Sequence, residues 1–233
     1  MEYWLEWARG PAFVFSFSFM ILGLARHLFL AIWETARGYC RTCDRKIPLS
    51  LILRESLKWM LPIRQLTTQT VFTLTSILFH AAVIIVPLFL AGHITLWMRG
   101  TGLSWPAISN EAADVLTLVA VFTGIFLALQ RVASPATRAL SGFQDYALLI
   151  LIVVPFASGF LMMHPTLNPF RYDLVFLVHI LSADLLFILI PITKLSHISL
   201  FMETQIISEM AWHWPPDAGS KVGRALGKEH MPI

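Results

Sequence analysis

The 233-residue sequence is poor in charge and in cysteine. Only 13% of its residues are charged against 57% hydrophobic, and its mean hydropathy is +0.70. So few charges cannot cover a soluble globule, and the composition is that of an integral membrane protein. The two cysteines, Cys40 and Cys43, cannot build a disulfide framework. The pair Cys40-Arg-Thr-Cys43 is followed by Asp44, where covalent haem attachment needs His. One such pair is also too little for a zinc site, so reduced, idle thiols are expected. Internal repeats and low-complexity tracts are absent, which argues against a transporter built from repeated halves. The opening MEYWLEWARG sets Glu2 and Glu6 ahead of Arg9 and lacks the basic n-region of a signal peptide. The first apolar run is therefore expected to be retained.

What the sequence has in plenty is long apolar runs. Five reach the length of a bilayer crossing: 11–33, 70–97, 113–130, 146–163 and 174–198. They predict an all-α integral membrane fold, a bundle of five transmembrane helices forming one domain over 1–206, with a tail over 207–233. Gly23, Gly92, Gly124 and Gly159 lie inside these runs and permit close approach of a helix or a flat cofactor. Between the first two runs, residues 49–61 set Leu53, Leu57, Met60 and Leu61 on one side and Arg54, Glu55 and Lys58 on the other. That pattern predicts a helix lying in the membrane interface. Fourteen of the 17 basic residues fall in the segments that alternate topology puts on one side; Arg9, Arg99 and Arg171 fall on the other. The positive-inside rule then places the N-terminus outside and the C-terminus in the cytoplasm, across a cytoplasmic (inner) membrane. The tail, with Trp212, Trp214, Pro215 and Pro216, suits contact with the membrane surface or a partner. Nucleic acid is not an expected partner.

Four histidines carry the chemistry. His179 and His197 lie 18 residues apart in the fifth run, which on one continuous helix is five whole turns and about 27 Å. His80 and His93 lie in the second run, which crosses in the opposite direction. His80 and His197 therefore share the cytoplasmic level, and His93 and His179 the outer level. Zinc wants three or four close ligands at one centre, which two-ligand levels do not provide. Paired imidazoles on facing helices are how non-covalent haem iron is held for electron transfer.

With these residues the chain resembles the gamma subunit of respiratory nitrate reductase, the membrane di-haem cytochrome b family. That family includes membrane cytochromes attached to sulfur-metabolism and heterodisulfide-reductase-like complexes. The carrying pieces are LFH…GH around His80 and His93, SPATRALSGFQD before the fourth run, and LVHI…FILIPITKLSHI across His179 and His197. The resemblance implies five helices and two b haems, the proximal on His80 and His197 and the distal on His93 and His179. It further implies electron exchange between a membrane quinone (menaquinone or ubiquinone) and a cytoplasmic-side iron–sulfur subunit, with a separate catalytic subunit. The 13-residue spacing of His80 and His93 turns an ideal helix about 220°, and Pro87 between them can rephase it. SWPAISNEAAD carries Glu111 and Asp114 where nitrate-reductase members carry bases, which favours another branch of the family.

Further candidates surround the four. His164 could replace His93, and His27 stands at the cytoplasmic end of the first run. Arg26 suits a haem propionate or, equally, an interfacial anchor. Asp184, an acid well inside a run, suits a quinol proton path or a hydrogen bond from a Ser or Thr on a facing helix. The loop from Arg99 to Asp114 offers Ser104, Trp105, Pro106, Asn110, Glu111 and Asp114 to an outer quinone site, with Gly92 leaving room for a ring beside the haem edge. The loop could also simply close the bundle. A membrane anchor without a redox role, or a transporter-like protein, is the competing function.

Overall fold

The structure, a computed structural model, describes residues 1–41, 49–60, 63–213 and 218–230. It is all-helical, with no strand among the described residues. Five helical stretches are long and apolar enough to cross a membrane: Glu2–Gly38, Thr70–Phe89, Asn110–Ala133, Phe143–Met163 and Tyr172–Ile192. Their surfaces are those of a membrane protein. Phe122 and Leu129 are 66% and 62% exposed, while Thr73, Thr117, Ser158 and Ser182 are buried. Large apolar groups outside and small hydroxyls inside fit lipid as the solvent. The buried hydroxyls of Thr117, Ser158 and Ser182 donate to carbonyls of their own helices, at 2.7, 2.8 and 3.0 Å.

The chain forms two compact units. The first comprises Met1–Ser16 and Arg64–Leu186. It begins with α1 (Glu2–Trp7), a π-helical turn over Ala8–Ala12 and the start of α2 (Phe13–Arg41). Pro11 lacks the N–H of a regular turn and lies in the π turn. Helix therefore starts nine residues before the expected 11 and continues past the expected 33. After α3 (Leu49–Met60) of the second unit and the short α4 (Ile63–Thr68) come α5 (Thr70–Phe89) and α6 (Ala91–Thr101). Then follow α7 (Asn110–Ala133), α8 (Pro135–Leu140), α9 (Phe143–Met163) and α10 (Tyr172–Leu189).

The centre of this unit is the packing of α5, α7 and α9. Ala82 and Val86 of α5, Ala120 of α7 and Phe156 of α9 form one buried cluster. Phe79, Leu127 and Leu149 form a second. Gly124 makes the approach possible: a Cβ there would lie 2.6 Å from Val153 and 3.1 Å from Phe79. Ser134 caps α8 and Ser109 caps α7, each hydroxyl accepting a first-turn N–H.

The second run is not one helix, as 70–97 had predicted. It breaks at Leu90, whose φ of −72° and ψ of 130° are extended. The break deprives the carbonyls of Pro87, Leu88 and Phe89 of their helical partners. Each finds another: the His93 ring at 3.2 Å, the Trp105 indole N–H at 2.8 Å, and the Ile108 backbone N–H at 3.0 Å. The loop after α6 is thus a cap for α5.

The second unit comprises Phe17–Ile63 and Phe187–Ile233. Here the predicted continuous helix 174–198 fails. The α-helix stops at Leu189, and two 3-10 turns follow, Ile190–Ile192 and Lys194–Ser196. Pro191 cannot donate into an α-helix, and Thr193 is extended, its hydroxyl capping Leu195 N–H at 3.3 Å. A new helix, α11 (His197–His213), begins at His197. The five-turn argument for His179 and His197 on one helix face is therefore withdrawn. α11 also runs through the expected boundary at 206/207, and α12 (Ala218–Ala225) follows.

α3 packs on α11, burying Ile52 and Ser56 of α3; Glu209 and Met210 of α11 are buried too. Leu53 and Leu57 remain exposed. On the polar side Lys58 donates to Glu55 at 2.8 Å and Arg54 at 3.0 Å. Lys58 above all, then Arg54, holds the Glu55 carboxyl below its ordinary value. Cys40 is exposed. Cys43, Leu61, Trp214, Pro215 and Pro216 lie outside the described residues.

Candidate functional site

The first unit brings His93 and His179 together. Their rings lie 6.2 Å apart, centre to centre, and are parallel to within 12°. The break at Leu90 makes this possible, because it resets the phase that a continuous helix would have carried past the target. His93 Nδ1 donates to the Pro87 carbonyl at 3.2 Å. His179 Nδ1 donates to the Pro155 carbonyl of α9 at 2.8 Å, with the Ser158 hydroxyl 3.4 Å away. A carbonyl only accepts, so each Nδ1 carries the proton and each Nε2 keeps its lone pair. This is the tautomer of a metal-ligating histidine, oriented by a second group. Gly159 sits against His179, and a Cβ there would lie 3.1 Å from Cε1.

The spacing tests whether an iron fits. At 6.2 Å between ring centres the two imidazoles are near enough to serve one centre. Among the described residues no group of three or more His, Cys, Asp or Glu side chains gathers to hold a metal. A haem, which brings four nitrogens of its own, would need only two ligands from the protein.

His80 belongs to the first unit and His197 to the second. His80 Nδ1 donates to the Ser76 carbonyl at 2.7 Å, and the ring meets Phe79 edge-on. His197 Nδ1 donates to the Lys194 carbonyl at 2.8 Å. Both, like the outer pair, donate through Nδ1 to a carbonyl, here one only four and three residues back in the chain. Arg26 lines a groove of the second unit with Gly23, His27, Pro191, Thr193 and Ser196. That is the turn leading into His197. Gly23 is crowded there, its Cβ position 2.5 Å from Pro191.

The alternative histidines are otherwise engaged. His27 Nε2 donates to the Pro191 carbonyl at 2.6 Å. His164 caps α9, Nδ1 donating to the Phe160 carbonyl at 3.0 Å, and its Nε2 lies 3.3 Å from the Asp114 carboxylate. Asp114 is thus tied to α9. Asn110 and Glu111 stand on the first turn of α7, and Trp105 packs against Trp97 at 5.9 Å while capping α5. A Cβ at Gly92 would meet nothing within 4 Å, so there is open space beside His93.

Asp184 is 5% exposed, and Oδ1 accepts a 2.9 Å hydrogen bond from the fully buried Ser16 hydroxyl. Its Oδ2 has no hydrogen-bond partner among the described residues. The sequence reading did not single out Ser16, Pro155 or Ser158. The signal was present: a proline followed three residues on by Ser-Gly, inside a run that must approach a flat group closely.

Fold and site together define an all-helical protein with five potential membrane spans and an anchored pair of parallel imidazoles. The chain is 38% identical over 157 residues to a protein of Nitratidesulfovibrio vulgaris strain Hildenborough, a match covering 66% of this chain and 68% of the relative. It belongs to the same family as that protein, whose name states no activity. No family model and no solved structure matches the chain.

Proposed function

We propose that this chain is a di-haem cytochrome b, the membrane subunit of a respiratory oxidoreductase complex. It carries electrons between a membrane quinol (menaquinol or ubiquinol) and an iron–sulfur subunit on the cytoplasmic side. The observation that supports this most is the His93–His179 pair, two near-parallel imidazoles 6.2 Å apart, each with Nδ1 held by a carbonyl, which would hold one haem between them. His80 and His197 are proposed as the second ligand pair, on the likeness of their Nδ1 anchoring. Bound at such sites, haem supplies one-electron redox chemistry. The protein's part is to fix the ligand tautomers through Pro87, Pro155, Ser76 and Lys194, to exclude water with apolar helices, and to leave space at Gly92 for a quinone ring. A haem held by two histidines would leave no place for substrate on its iron, and the terminal chemistry would fall to a separate catalytic subunit. Arg26 is proposed to meet a propionate near His197.

In the proposed topology the N-terminus and the His93–His179 level face outward, and the basic segments face the cytoplasm across the inner membrane. The test is mutational. His179→Ala in the purified chain removes one b haem and leaves the other; a variant retaining the wild-type haem content contradicts the assignment.

A further inference from the structure

The break at Leu90 leaves α6 with little packing to fix its rotation. Among the described residues of α6 only Ile94 is buried. Yet His93 stands in the first turn of this helix, and a small rotation of α6 would swing its ring away from His179. One buried side chain does not set the phase of a helix, so the parallel stacking of the two rings needs a second constraint.

Trp105 touches both sides of the break. Gly102, at a φ of 77°, ends α6 and turns the chain back. Three residues on, the Trp105 indole N–H donates to the Leu88 carbonyl at 2.8 Å, on the α5 side. The same ring packs against Trp97 on the α6 side, 5.9 Å between centres and tilted by 57°. Trp97 lies four residues after His93, so the two side chains are neighbours on one face of α6. The Ile108 N–H adds a further tie to α5, at the Phe89 carbonyl, 3.0 Å away. All these residues and His179 belong to the first compact unit. An indole supplies both parts of the joint, one N–H donor and a broad apolar ring.

We propose that Trp105 is a positioning residue for His93: it joins the end of α5 to the His93 face of α6 and so fixes the angle of that ring over His179. This rests on the haem reading above, in which the two Nε2 atoms face one iron. Trp105 acts through Leu88 and Trp97. Its loss therefore changes how the ligand is held and leaves the ligand itself in place.

The test uses the full chain purified with haem, read by visible and electron paramagnetic resonance spectra and by redox titration. The outer haem is the one that His93→Ala removes. Trp105→Phe keeps a ring against Trp97 and loses the N–H. Trp97→Leu keeps the N–H and loses the ring contact. Both variants are expected to retain two haems and to shift the resonance position and the midpoint potential of the outer haem, with those of the inner haem unchanged. Trp105→Ala removes both ties and is expected to lose the outer haem, halving the haem per chain. Gly124→Ala, whose neighbours are Val153 and Phe79, controls for lost stability alone and is expected to leave both haem signals as they are. Wild-type signals from the outer haem in both Trp105→Phe and Trp97→Leu, or equal shifts at the two haems, overturn this proposal alone. A wild type without haem overturns the proposed function itself.

Discussion

At the scale of single residues, the assignment of His93 and His179 rests on which ring nitrogen is held by a carbonyl. His93 and His179 each spend Nδ1 on a carbonyl, whereas His27 spends Nε2. The four candidate ligands were legible in the sequence as imidazoles in apolar runs. Their anchoring was not, because Pro87, Pro155, Ser76 and Lys194 contribute only backbone oxygen, which no side-chain motif records. His27→Ala is expected to keep both haems, while His93→Ala loses one, as read from the pyridine haemochrome of the purified variants. Asp184 had two readings, and the hydroxyl partner of one is present in Ser16, with Oδ2 still unpaired. Ser16→Ala leaves the buried carboxyl without that bond, at a cost of about 1–3 kcal/mol. A fall of about 2–12 °C in the thermal unfolding midpoint is expected.

At the scale of elements, two breaks decide the site. Both runs that carry ligand pairs read as uninterrupted apolar helices, since Leu90 and Ile192 are as hydrophobic as their neighbours. Hydropathy reports burial in lipid, not backbone phase. The prolines were the only local signal: Pro87 stands three residues before the Leu90 break, and Pro191 lies inside the 3-10 turn that ends α10. The first break helps the expectation by turning His93 toward His179, and the second removes the argument from five whole turns. The glycines separate by neighbour. Gly124 faces Val153 and Phe79, so Gly124→Ala overpacks the α5–α7–α9 core. It is expected to cost about 1–3 kcal/mol in stability with the haem spectrum intact. Gly159 faces His179. Gly159→Ala is expected to displace that ring and alter or empty one haem site, seen as a changed α-band with the other haem retained.

At the scale of the whole molecule, composition and run length were enough for an all-helical chain with five potential spans, because both follow from what lipid requires of a backbone. Chain direction across the membrane was legible only as charge: 14 of 17 bases fall on one side of the proposed topology. Reporter fusions after Arg37 and after Lys228 are both expected to report the cytoplasm, and an external signal from either would invert the arrangement. The loop from Arg99 to Asp114 was read as one side of a quinone site, and the contacts of Trp105 and Ile108 with Leu88 and Phe89 make it a helix cap. Capping depends on where the chain returns in space, which a linear sequence does not carry. The central claim is that this chain holds two b haems between paired histidines. A dithionite-reduced minus oxidised visible spectrum of the purified full chain, with haem quantified per polypeptide, tests it most directly. Two b-type haems per chain, both low-spin, is the predicted result; a chain prepared with haem available that shows no haem absorbance would contradict it.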